Sequence, residues 1–219
     1  MAFSTQLTLQ GFDSFSSYFS DLFHDRILLL LSSLVARLVV SLRTLEPSSL
    51  GFVYENSALE AVWTVLPGLI LLRLIGPSLK ILFLSDERSN KDLDLIAMGN
   101  QWFWSYFYPQ IGGVRLDSFI LKDSVIVQLE VDNRLCLPTM TSVQILTSSK
   151  DVLHSWAIPS LALKVDARPN RLNRCNLIAL RRGLLYGQCS EICGANHRFI
   201  PIVLELIPLS EFKDWILVY

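Results

Sequence analysis

The sequence predicts a two-helix membrane hairpin followed by an all-β sandwich or barrel. Three observations carry that expectation. Two long runs in the first ninety positions are almost free of charge, and the rest of the chain alternates toward short strands broken by turn residues. The composition is also too apolar for a wholly soluble domain, with 51% hydrophobic and 18% charged residues and a mean hydropathy of +0.41. A net charge of −1 argues against nucleic acid as a partner, because phosphate binding needs a cationic surface.

Taken in order, residues 1–25 contain no Lys or Arg. They lack the charged start of a secretory signal and the Arg-rich character of a transit peptide. The expectation is a chain made in its own compartment, or one not delivered by a cleaved presequence. Residues 27–42 are almost continuously apolar, and with Leu22, Phe23 and Leu45 alongside they reach the roughly 20 residues a bilayer helix needs. A second run, 61–84, is bounded by Glu60 and by Ser85-Asp-Glu-Arg. Pro67 and Pro77 lie inside it, and membrane helices tolerate such prolines. The polar stretch 46–57 joins the two runs into a hairpin, with both chain ends on one side. Two buried helices of a soluble bundle fit less well, because the runs lack a polar face. Lys and Arg flank both ends similarly, so charge asymmetry does not orient the hairpin.

Beyond position 90 the texture changes. Stretches 124–132, 142–147 and 199–207 alternate in the manner of strands. Asn133, Pro138, Pro159, Pro169-Asn170, Arg182-Gly183 and Gly187 punctuate them at short spacing. The one convincing helix of this half lies at 211–215. Short strands with frequent turns predict a sandwich or barrel of ordinary domain size.

Chemistry concentrates in C-S-E-I-C-G-A-N-H, where Cys189, Cys193 and His197 fall at four-residue intervals. His154, in D-V-L-H-S-W at the end of an expected strand, is the other usable imidazole, since the chain has three histidines in all. Thiolate with imidazole suits copper or zinc, and thiolate favours electron-transfer copper. Zinc sites of this donor set usually pair their histidines closely, whereas these two are far apart in sequence. Two Cys and two His from separate β elements resemble a cupredoxin arrangement. The second cysteine would allow two bridging sulfurs and two metal ions. Cys136 and Cys175 read as small apolar residues, and a disulfide framework does not suit so large and cysteine-poor a chain.

The motifs C-S-E-I-C-G-A-N-H, D-V-L-H-S-W-A-I-P-S-L, Q-W-F-W-S-Y and L-E-V-D-N-R, with W-T-V-L-P in the hairpin, together resemble cytochrome c oxidase subunit II. The likeness runs from about Phe23 to Trp215, and the mitochondrial form is the closer one. It implies an arm at 1–20, a transmembrane hairpin at 21–88 and a cupredoxin-like copper domain at 89–219. It also implies a binuclear copper A centre in which Cys189 and Cys193 bridge both ions while His154 and His197 each bind one. Glu191 would give a backbone carbonyl to copper and turn its side chain toward a magnesium shared with subunit I. Trp102 would receive electrons from cytochrome c, and Glu60 would lie near the mouth of a proton pathway in subunit I. Asp117, Asp132 and Asp151 are the candidate carboxylates for docking cytochrome c. His24 matches a histidine just before the first span. The resemblance further implies subunits I and III and the bilayer as partners. The location implied is the mitochondrial inner membrane, with the copper domain and both termini in the intermembrane space. Oxygen reduction would occur in subunit I.

Plainer roles exist beside these. Trp102 and Trp104 could be packing residues of a strand, Glu60 an interfacial carboxylate, and His154 a core histidine. Two other functions fit parts of the sequence: a quinol-oxidase-type homologue with a modified copper site, and a membrane-tethered copper- or zinc-binding assembly protein. Four residues depart from the resemblance. Ile200 stands at the axial position where the family has methionine, and Arg198 where it usually has serine. Arg37 and Arg73 fall inside the apolar runs, where an arginine costs about 2.5–3.5 kcal/mol on insertion scales. One account covers all four. Many animal mitochondria read AUA as methionine and AGA or AGG as serine, so a standard-code translation would print Ile and Arg. The rival account is true divergence, with both arginines set against partner subunits.

Overall fold

A computed structural model of the chain describes residues 13–44, 55–86, 90–121, 126 and 128–218. Most of the expected arm and interhelical loop, and the end of the hairpin at 87–88, lie outside these residues.

Two helices, α1 (Phe15–Thr44) and α2 (Ser57–Asp86), each have 30 residues. At 1.5 Å per residue each is about 45 Å long, enough to cross a hydrocarbon core of about 30 Å. Their most apolar windows have mean hydropathies of 1.9 and 1.8, and none of either window is buried against protein. Leu29, Leu71, Leu72 and Phe83 all point outward, as helices surrounded by lipid require. Both N-termini are capped. Ser14 Oγ accepts the Ser17 N–H, and Ser17 Oγ accepts the Ser14 N–H in return. On α2, Asn56 Oδ1 accepts the Leu59 N–H at 3.0 Å. Pro67 and Pro77 sit within α2 without ending it. Lys80, late in α2, lies 5.6 Å from the ring centroid of Phe19, early in α1, so the helices run antiparallel. Arg37 and Arg73 are both exposed.

The start of α1 is fastened to the β domain. Asp13 N–H donates to the Ser160 carbonyl, Leu180 N–H donates to the Asp13 carbonyl, and Ser14 Oγ donates to the Leu161 carbonyl. Arg181 pairs with Asp13 at 3.0 Å.

The β domain is a sandwich of two five-stranded sheets. Its strands are β1 (Leu93–Asn100), β2 (Phe103–Tyr108), β3 (Val114–Ser118), β4 (Leu135–Pro138), β5 (Val143–Ser149), β6 (His154–Ile158), β7 (Leu163–Ala167), β8 (Asn173–Leu177), β9 (Gly183–Cys189) and β10 (Pro201–Ile207). One sheet has the order β3-β2-β1-β5-β8 and the other β4-β10-β9-β6-β7. The β1–β5 and β4–β10 pairs are parallel and the other pairs antiparallel. Alternation is clear in β1, where Leu93, Leu95 and Ala97 face the core, and in β5, where Val143, Ile145 and Thr147 do. Trp104, Tyr106, Trp156 and Ile158 fill the space between the sheets with no more than 1% exposure. A final helix, α3 (Leu209–Val218), stacks Phe212 on Trp215 and sets Trp215 edge-on against Tyr108.

Three expectations need correction. The described residues of 124–132 do not form a strand. They form turns, held by Leu129 N–H to the Ile126 carbonyl and Leu121 N–H to the Glu130 carbonyl. A single bridge, Val131 with Ile120, is the pairing they show; Ser124, Val125 and Val127 lie outside the described residues. Alternation marks a face, but a strand also needs a neighbouring ladder, and this segment meets one bridge. His154 begins a strand instead of ending one. The expected strand at 199–207 starts at Pro201, after a 3-10 turn at His197–Phe199.

Candidate metal centre

Sheet register brings the sulfur and nitrogen donors together. Cys189 ends β9 and lies opposite Trp156 of β6, two residues past His154. The loop between β9 and β10 then returns over the same end of the sandwich. Its entrance is closed by Cys189 N–H donating to the Ile200 carbonyl at 3.0 Å, and Ser190 N–H donates to the Ser155 carbonyl. His154, Cys189 and Cys193 each place one donor atom within 4.8 Å of the others, and all three are buried. His154 Nδ1 is 3.8 Å from Cys189 Sγ, and His197 Nδ1 is 3.5 Å from Cys193 Sγ. The Glu191 carbonyl lies 3.4 Å from Cys189 Sγ, so the backbone oxygen turns into the cluster.

The imidazole of His154 is wholly buried and oriented from behind. Its Nε2 lies 2.8 Å from Asp151 Oδ1, which leaves Nδ1 to face the sulfurs, the arrangement by which carboxylates fix metal-binding histidines. Burial alone would depress this histidine, but its bonds to Cys189 and Asp151 outweigh that and raise it. Burial acts to raise the Cys189 thiol, yet the His154 bond and nearby backbone N–H groups bring it down. Cys193 is pushed up to about 12 by burial and by the charge of Cys189 beside it. Two adjacent buried thiolates repel each other, and a cation between them removes that conflict. The donor set therefore fits a thiophilic metal.

Neighbouring residues complete the pocket. A methyl group on Gly99 would meet the His154 ring at 2.7–2.8 Å and its Cβ at 2.9 Å, so only glycine lets β1 pass the imidazole. Trp104 presents its ring edge-on to His154 at a centroid distance of 5.9 Å. Trp102 sits half-buried in the β1–β2 turn, and its ring is close to Gly194 of the metal loop. Gln101 Nε2 donates to the Cys193 carbonyl at 2.8 Å. Sequence reasoning missed Gly99 and Gln101, and assigned Asp151 to docking alone. The spacing of Asp151, three residues before His154, was the one available signal.

The remaining candidates are distributed more widely. Asp151 is committed to His154, to the Gln101 N–H at 2.6 Å and to the Val152 N–H at 2.6 Å. Asp132 caps the Phe119 and Asn133 N–H groups, and Asp117 pairs with Arg115 at 3.3 Å. Glu60 lies exposed in the first turn of α2 and His24 lies beside Asp25 on α1. Ile200 is 1% exposed and belongs to the same apolar cluster as Cys189 and Cys193. Arg198 is exposed and places its guanidinium 4.6 Å from the Phe199 ring centroid. Arg37 and Arg73 have no ion pair among the described residues.

Comparison with known proteins covers both halves of the chain. The family model described as cytochrome c oxidase subunit II, periplasmic domain, matches residues 93–207. The corresponding transmembrane-domain model matches residues 4–81. Among solved structures, the periplasmic domain of cytochrome oxidase subunit II (CoxB) of Bradyrhizobium japonicum is 38% identical, with a TM-score of 0.58. The match covers 59% of this chain and 94% of that one. A second structure is a mixed-disulfide intermediate between a thioredoxin-like protein and a cytochrome c oxidase subunit II. It is 36% identical with a TM-score of 0.55, covering 60% of this chain and 93% of that one.

Proposed function

The chain belongs to the cytochrome c oxidase subunit II family, and from that membership we propose that it is the electron-accepting subunit of a terminal respiratory oxidase. It is membrane-anchored through α1 and α2. The observation that carries the finer reading is the pair of Cys–His contacts at 3.8 and 3.5 Å. Two donors at about 2.0 and 2.3 Å from one tetrahedral metal lie about 3.5 Å apart, so each contact has the length of one edge of a metal site. Each imidazole lies beside a different sulfur, so His154, Cys189, Cys193 and His197 would together hold a copper pair. The Glu191 carbonyl is poised as a further donor to the Cys189 side. A copper pair held there would supply a one-electron relay between cytochrome c and haem a of subunit I.

Each chain residue then has a task. Burial of His154, Cys189 and Cys193 excludes water from the donors, and Asp151 fixes the tautomer of His154. Trp102, packed over the loop, is the aromatic bridge through which electrons arrive from cytochrome c. Asp132 and Asp117 offer a modest acidic surface for that partner, the kind of charge that raises encounter rates. Asp151 contributes through its position behind His154. Toward subunit I, the Glu191 side chain is assigned to the magnesium and Glu60 to the proton-pathway mouth. Subunits I and III are the expected partners, and the site of oxygen reduction is in subunit I. The mitochondrial inner membrane, with the copper domain in the intermembrane space, is the expected location, and 21–88 and 89–219 are the assigned hairpin and copper domain.

Metal analysis and near-infrared absorption of the detergent-solubilised chain test the reading. Two coppers per chain with a mixed-valence band are expected; one zinc, or no copper, overturns it. At residue 200, isoleucine supplies no donor atom, while methionine would offer a thioether. Peptide mass spectrometry across 197–201 distinguishes them. Arg198 and Ile200 in the mature protein would remove the codon account and leave a copper pair without its thioether.

A further inference from the structure

We propose that Gln101 is a positioning residue that locks the turn carrying Trp102 to the metal loop, and that transfer from Trp102 depends on this lock. The inference rests on the copper reading above and extends it to a residue with no donor role.

Gln101 bridges the two halves of the centre. Its backbone N–H donates to Asp151 Oδ2 at 2.6 Å, while Asp151 Oδ1 holds His154 at 2.8 Å. Its side-chain Nε2 reaches the Cys193 carbonyl at 2.8 Å. One residue is thus tied to the His154 side through its main chain and to the Cys193 side through its amide. Among the described residues the Trp102 indole has no comparable anchor, because its Nε1 is buried with no hydrogen-bond partner there. The ring is located by packing and by its attachment to Gln101. Its packing partner is Gly194, which has φ +124°; a methyl group there would lie 3.3 Å from Gln101 Nε2 and 3.4 Å from two Trp102 ring atoms. Gly194 is therefore needed both for its backbone conformation and for the close seat of the ring. The peptide between Cys193 and Gly194 lies under both side chains. Removing the amide donor leaves the Cys193 carbonyl with one bond fewer and frees the turn to shift against the loop.

The test uses Gln101→Met, which keeps length and removes the donor, and Gln101→Glu, which replaces the donor with an acceptor facing a carbonyl. In the metal-free full chain in detergent, hydrogen exchange of amides at 193–198 should rise about fivefold to tenfold in both variants, the effect of losing one hydrogen bond to a loop. In the copper-loaded oxidase, both variants should keep two coppers and the KM for cytochrome c. Reduction of the copper pair at saturating cytochrome c should fall roughly tenfold, since small misplacement of reacting groups has effects of this scale. Unchanged loop exchange together with unchanged reduction in Gln101→Met overturns the inference alone. A raised KM with an unchanged saturating rate also overturns it, and makes Gln101 a docking residue. A wild-type chain that binds no copper pair overturns the functional reading instead.

Discussion

The two Cys–His pairs are chemically alike and structurally different. Cys189 and His154 stand on adjacent strands, the imidazole is wholly buried, and a carboxylate fixes it from behind. Cys193 and His197 ride on the connecting loop; His197 is half-buried and starts a 3-10 turn. No carboxylate orients His197 among the described residues. One half of the site is part of the sandwich, and the other is laid over it. The difference separates two kinds of requirement: residues needed for the fold to exist, and residues needed only once metal is present.

Matched alanine substitutions break the comparison most directly. His154→Ala leaves a cavity between the sheets and should cost the metal-free chain about 2–5 kcal/mol, as large-to-small core changes do. His197→Ala should change it by less than about 0.5 kcal/mol, the usual range for surface changes, while still removing one ion. Urea denaturation of the metal-free proteins and copper counting in the loaded ones check both statements; equal destabilisation would erase the distinction. Gly99→Ala comes next. The added methyl displaces the His154 ring or β1, lowering stability by about 1–3 kcal/mol through overpacking. Copper affinity, measured against a competing chelator, should drop about tenfold. Asp151→Asn is smaller still. It keeps shape, but one acceptor oxygen becomes an amide donor, so either the Gln101 N–H or the Val152 N–H and His154 lose their acceptor. Copper should weaken about tenfold and the metal-free chain should lose about 1 kcal/mol in urea. At the bottom of the scale is Tyr108→Phe, far from either half. It removes the bond from the phenol to the Cys136 carbonyl at 2.7 Å, at about 0.5–1.5 kcal/mol, and should leave copper content unchanged.

The same division describes what the sequence made legible. The spans were readable because lipid demands a composition, and composition is visible along a line. The sulfur and imidazole donors were readable because Cys189, Cys193 and His197 recur at a short interval, and His154 was the other imidazole outside the apolar runs. Gly99 and Gln101 were not readable, because their importance lies in contacts with residues 154 and 193. Nothing in their own neighbourhood announces those contacts. Asp151 was half-readable: its proximity to His154 was visible, but the side of the ring it would meet was not. The expected strand at 124–132 marks the opposite failure, a local pattern whose described residues meet one bridge and no ladder.

The fastening of α1 to the β domain has a mechanical consequence. A domain joined to its membrane anchor by one chain segment can swivel about that segment. Here the domain follows α2 in sequence and is also gripped at Asp13 and Ser14, where α1 begins. Two separated attachments remove the swivel, as two screws stop a plate from turning about one. The height and tilt of the donor cluster above the bilayer are then set by the protein itself. For the relay proposed above, whose rate would fall steeply with distance, that makes the anchor a ruler as well as a tether.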